Sequence, residues 1–202
     1  MSKVLLKYIP EEAIPLVSKW FKAYQFHLRI TKSRTSKFGD FRPAFKGKPN
    51  RISVNGDLNK YHFLITLTHE AAHAACWEKH KGKVLPHGVE WQNIYAKLLK
   101  EAIAIVSFPG DLLIALKRHL NKPKASSCSD PKLYKAIKIY DEVESDHIYL
   151  DSLNLGELFT VNGKKIFRKG IKRRSRYQCE ELKTKRLYLV SGHAEVKIIN
   201  EA

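Results

Sequence analysis

At 202 residues and 44% hydrophobic composition, the chain can bury one good core with a small appended module, and it holds no apolar run long enough to cross a membrane. Thirty-seven Lys and Arg against twenty Asp and Glu leave a formal charge of +17, more than solubility requires, which points to a polyanionic partner. Three isolated cysteines, Cys76, Cys128 and Cys179, argue against a disulfide framework and a paired-cysteine zinc site, and fit a reducing compartment.

The opening Met1–Tyr8 lacks a long apolar stretch with a cleavage site, so it reads as no secretory signal and the chain as cytoplasmic. Glu11 to about Phe26 reads as a helix with Ile14, Val17, Trp20, Phe21 and Tyr24 on its apolar face. Residues 27–56 read as two or three short strands, because Pro43, Gly47 and Pro49 break any helix and Asn55-Gly56 signals a turn. A basic cluster lies in the same stretch: Lys32, Arg34, Lys37, Arg42, Lys46, Lys48 and Arg51 among Phe38, Phe41 and Phe45. Cations beside exposed rings suit a nucleic-acid strand. The rings could instead face inward, which is the preferred reading for them. For the charges a polyanion is preferred over an acidic membrane, since the cluster forms no amphipathic helix.

Phe63 to Trp77 is free of Gly and Pro, favours helix, and contains His69-Glu70-Ala71-Ala72-His73. Four residues of helix bring His69 and His73 one above the other, where two imidazoles can share a zinc ion with Glu70 beside them to activate a metal-bound water. The helix is apolar almost all round and must be buried. Histidines and a glutamate there are costly unless paired or metal-bound. A catalytic zinc takes three protein ligands. A third histidine six residues after His73, beyond a glycine, is missing: Cys76 and Lys79 stand in those places. Downstream, Gly82 is placed to end the helix and Pro86 to open another, with Trp91, Ile94, Tyr95 and Leu98 as its packing face. His87 at that opening returns to the metal; the other candidate, Glu90, reads better as a solvated or capping charge.

Thr68–Ala74 followed by His87-Gly88-Val89-Glu90-Trp91 resembles the SprT-like metalloprotease domain, the group that includes Spartan. Arg34–Asp40 and Arg51–Asn55 resemble that family's strands before the catalytic helix, and the likeness covers about residues 10 to 120. The resemblance implies His69, His73 and His87 as ligands of one zinc per chain, Glu70 as general base, and a protein substrate bound or crosslinked to DNA. It departs in one respect: family members often end in a zinc ribbon of paired cysteines, which this chain lacks. Three neutral imidazoles leave zinc its full charge to acidify bound water and polarise a peptide carbonyl, with Glu70 moving the proton. His62 and His80 fall outside the spacing and read as surface residues.

After Pro109-Gly110, Asp111 could cap a short helix ending near Leu120. Residues 121–131, with two prolines and several serines, read as a boundary, followed by a helix over about Pro131–Tyr140. Leu158–Val161 and Lys164–Phe167 around Asn162-Gly163, then Arg186–Val190 and Ala194–Ile199, read as strands. Eight basic residues in thirteen, Lys164, Lys165, Arg168, Lys169, Lys172, Arg173, Arg174 and Arg176, form the second cluster, interleaved with Phe167 and Tyr177. The expectation is an α+β chain: a zincin-like SprT core over 1–120, with an N-terminal helix, short antiparallel sheet, HExxH helix and following helix. A helix plus a basic β-rich unit, together over 121–202, pack on it. Nucleic-acid contacts are expected at Arg34, Lys37, Arg168, Lys169, Lys172, Arg173, Arg174 and Arg176. Two rivals remain: a nucleic-acid-binding module with a structural or inactive zinc, and a zinc hydrolase of another amide.

Overall fold

The computed structural model describes residues 2–34, 36–121, 130–141, 148–161, 163–174, 176–192 and 194–199. Cys128, residues 122–129 of the expected boundary, and Asn162 of the expected turn lie outside the described residues. The chain forms two compact units, Met1–Glu142 and Val143–Ala202.

The first unit opens with α1 (Ser2–Leu5), a 3-10 turn over Glu11–Ala13 and α2 (Ile14–Tyr24). Pro15 in its first turn suits α2, which buries Leu16, Val17 and Trp20 and stops at Gln25 in a left-handed conformation. Three strands follow: β1 (Phe26–Thr31), β2 (Gly39–Arg42) and β3 (Asn50–Asn55). Their order is β1-β3-β2, so the expected antiparallel sheet is mixed, with β3 parallel to β1 and antiparallel to β2. Burial explains the order. Ile52, Ser53, Val54 and Asn55 are all buried, so β3 takes the centre, and the chain after β1 crosses to the far side before returning. Arg34 fastens that crossing, its Nε donating to Asn55 Oδ1 at 2.8 Å and its Nη1 to Ser53 Oγ at 3.1 Å.

The helix α3 (Lys60–His80) starts at Asn59, whose side chain accepts from the His62 N–H, and ends at Lys81 and Gly82, both with positive φ. Buried residues run from His62 to Cys76 on every face but that of His69 and His73, because α2, α4 and the strands β2 and β3 surround it. His62 is thus no surface residue: it is 2% exposed, its ring edge-on to Phe38 at 4.5 Å. The next helix, α4 (Val89–Ile105), opens at Gly88 rather than at Pro86, since His87 takes a φ of 59° that no helix can continue. Then come α5 (Gly110–Asn121) and α6 (Pro131–Lys138), whose N-cap is Asp130. Although expected with the tail, α6 packs on α5 and α3 and places Leu133 and Ile137 in the first core.

The second unit is a sheet of β4 (Ile148–Tyr149), β5 (Leu158–Thr160), β6 (Ile166–Arg168), β7 (Lys172–Arg173), β8 (Arg176–Glu181), β9 (Leu187–Ser191) and β10 (Glu195–Ile198). The order is β4-β10-β5-β6-β8-β7, with β9 also on β8. A small core of Leu150, Leu153, Phe159, Phe167, Cys179 and Val196 holds it.

Candidate metal centre

One turn of α3 brings His69 and His73 side by side, with their Nε2 atoms 3.1 Å apart. His87 reaches them from the turn before α4, its Nε2 3.0 Å from that of His73 and 3.2 Å from that of His69. The left-handed backbone at His87 aims the ring back toward α3, and Gln92 donates to its carbonyl at 2.9 Å. Trp91, fully buried in the first turn of α4, walls the group: its ring centroid lies 4.7, 5.1 and 4.7 Å from those of His69, His73 and His87. Tyr95 stacks on Trp91 at 5.0 Å and meets His69 edge-on at 5.7 Å.

Burial, then the neighbouring imidazoles, pushes His69 down to about 2 and His73 to about 4, and burial lowers His87 as well. All three are therefore neutral near pH 7. A neutral imidazole nitrogen carries either one hydrogen or one lone pair, so three Nε2 atoms in a triangle cannot all satisfy one another. A cation satisfies all three lone pairs at once, and the donor set fits zinc. Among the described residues these three form the group able to hold a metal, and Glu90, half-buried in the first turn of α4, is outside it.

Glu70 turns from the same helix toward β2. Its carboxylate occupies the space that a side chain at Gly39 would need: a Cβ there would lie 2.5 Å from Oε1 and 2.8 Å from Cγ. The Phe41 backbone N–H donates to it. Burial pushes Glu70 up to about 8, helped by the Asp40 charge and opposed by Lys37 and Arg34. A cation at the histidines acts in the same sense as those two bases.

The expected nucleic-acid contacts divide. Arg34 is half-buried in its bonds to β3, and Lys37 pairs with Asp40 at 2.7 Å. Lys169 is a correction: it is 5% exposed, donates to the Leu153 carbonyl at 2.6 Å and lies over the Tyr177 ring at 4.0 Å, so its ammonium is withdrawn from any phosphate. Lys172 pairs with Asp151 at 2.8 Å. Arg168, Arg173, Arg174 and Arg176 are exposed. Cross-strand pairing of Arg168 with Glu180 and of Arg173 with Arg176 puts three of these arginines on one face of the sheet. Of the rings in the first basic cluster, Phe38 packs on His62 and Phe41 against the core, as the inward reading has it, but Phe45 is 68% exposed. It flanks a two-residue turn, Lys46-Gly47, closed by paired backbone bonds between Phe45 and Lys48 of 3.0 Å each.

Sequence reasoning overlooked Gly39, whose need shows only when Glu70 folds against it. It also overlooked the buried His119–Asp130 pair. A signal existed for His119: Leu112, Ala115, Leu116 and His119 follow helical spacing, and all four are buried.

Residues 16–108 match the model of the SprT-like family. No curated protein and no solved structure matches the chain. The matched stretch carries the three histidines, Glu70, Gly39 and Trp91, so the whole of the site described above lies within the part of the chain that is similar to the SprT-like family.

Proposed function

We propose that the chain is a zinc-dependent endopeptidase of the SprT-like type, acting on proteins bound or crosslinked to DNA. The observation that carries the peptidase reading is the convergence of three imidazole Nε2 atoms within 3.2 Å, with a buried carboxylate on the helix that supplies two of them. His69, His73 and His87 would hold the ion. When bound, zinc supplies Lewis acidity toward a peptide carbonyl and toward water. Glu70 takes the proton from the attacking water and returns it to the departing amine. Gly39 and the Phe41 N–H keep that carboxylate in one orientation, so it does not have to be ordered at the moment of reaction. Trp91 excludes water from the rear of the histidines.

The nucleic-acid part rests on the exposed arginine face of the second unit and on Phe45, an open ring beside Lys46 and paired across the turn with Lys48. Retention of a carboxylate next to the triad speaks against a purely structural metal, which has no use for it. Glu70→Gln tests the enzyme reading: with zinc bound and DNA present, cleavage of a protein substrate should fall by about 10²–10⁴-fold. Equal inertness of wild type and variant would end that reading in favour of a binding module.

A further inference from the structure

Behind the histidines lies a buried polar pair that the mechanism above does not use. His119 on α5 is 2% exposed and Asp130, the N-cap of α6, is 7% exposed. His119 Nδ1 donates to Asp130 Oδ2 at 2.9 Å, while Asp130 Oδ1 accepts from Arg118 at 3.0 Å and from the Leu133 N–H at 3.3 Å. Asp130 therefore has three donors and a fixed position, and it fixes the imidazole in turn. The ring of His119 meets the buried Tyr95 edge-on, with centroids 5.9 Å apart, and Tyr95 meets His69 at 5.7 Å. Tyr95 is thus held between two imidazoles, stacked on the indole that touches all three histidines.

We propose that His119, held by Asp130, is a positioning residue for the metal centre and acts on His69 through Tyr95. Joining α5 to α6 does not by itself call for this pair. The apolar faces already meet, and Arg118 with the Leu133 cap would satisfy the carboxylate. Burying an imidazole and a carboxylate in an apolar core is costly, and the arrangement fixes something that plain packing leaves loose: the rotation of one ring. Tyr95 packs against that ring, and His69 packs against Tyr95. Groups lying outside the ligands that orient a metal-binding histidine are typically worth about 10–100-fold in metal affinity. This inference rests on the metallopeptidase reading, because it needs an ion at His69.

The test is zinc affinity of the full chain by competition with a chromophoric chelator, together with the visible absorption of the cobalt(II)-substituted protein. His119→Ala removes the ring and the bond to Asp130. His119→Phe keeps a ring on Tyr95 but releases Asp130, and Asp130→Asn keeps the cap while weakening the hold on the imidazole. The zinc Kd should rise about 10–100-fold in His119→Ala and less in the other two, with a changed cobalt spectrum. Should His119→Ala fail to fold, the two milder variants decide. A zinc Kd within twofold of wild type and an unchanged cobalt band, whatever the fall in thermal midpoint, would leave the pair a helix fastener and overturn the proposal. Wild-type protein that binds no zinc would instead overturn the metallopeptidase reading, a separate result.

Discussion

At Gly39 the absence of a side chain is a structural requirement. A methyl group there would press 2.5 Å from Glu70 Oε1 and 2.8 Å from Thr66 Cγ2, and both neighbours are buried in α3. Gly39→Ala should therefore move the carboxylate rather than the helix. Misplacement by about 1 Å can cost about 100-fold in rate, so peptidase activity should fall by roughly that factor while zinc content stays near one per chain. The expected loss of stability is about 1–3 kcal/mol, as for other overpacked sites. Wild-type turnover in Gly39→Ala would show that Glu70 has room to spare. His69, Glu70 and His73 were legible because a helix makes their neighbourhood from consecutive residues. His87 was legible from Gly82 and Pro86, which punctuate the chain around it. Gly39 was not, since it meets Glu70 across 31 positions and nothing local marks the encounter.

The element that dominates the first unit is α3, and its burial on nearly every face carries a pH consequence at its first turn. His62 sits among Phe38 and Tyr134, and burial pushes it from 6.5 down to about 4, with the nearby Lys138 adding and Asp141 and Asp57 opposing. With the folded pKa the lower one, the unfolded chain takes up the proton first as pH falls. The stabilisation is whole above pH 6.5 and is lost between pH 6.5 and 4, on the order of 3 kcal/mol in all. Urea midpoints measured across that range should drop less steeply in His62→Phe than in wild type. Parallel curves would mean that His62 protonates without strain. The existence of α3 was readable from its composition, but the fate of His62 was not, because a helix sheathed on most faces has no solvent side to which a polar residue can be assigned. Likewise β8 escaped notice: Arg176, Glu180 and Glu181 make it look like a loop, and only its pairing with β6, β7 and β9 makes it a strand. The inward turn of Lys169 was within reach, since Phe167 two positions earlier points to the same side.

For the molecule as a whole, the charge of +17 is the property that any polyanion meets first. The arginine face makes a separable prediction about oligonucleotide binding titrated with salt. Arg173→Ala and Arg176→Ala should each reduce the slope of log K against log salt by about 1, if each residue meets a phosphate. Lys169→Met should leave that slope unchanged and destabilise the second unit, because its ammonium bonds the Leu153 carbonyl inside a small core. An unchanged slope in both arginine variants would remove this face from the interface. The boundary between the units was not legible: the first unit runs on to Glu142, past the prolines and serines after α5, because α6 belongs where its apolar face is buried. The turn that carries His87 has a consequence for the fold itself. An ion shared by His69, His73 and His87 would be a reversible cross-link spanning 18 residues, from α3 to the turn before α4, closing a loop that the unfolded chain would otherwise explore. A chelator would then do more than silence the chemistry: it would release the turn that leads into α4, and the chain would be easier to degrade when it is least able to cut.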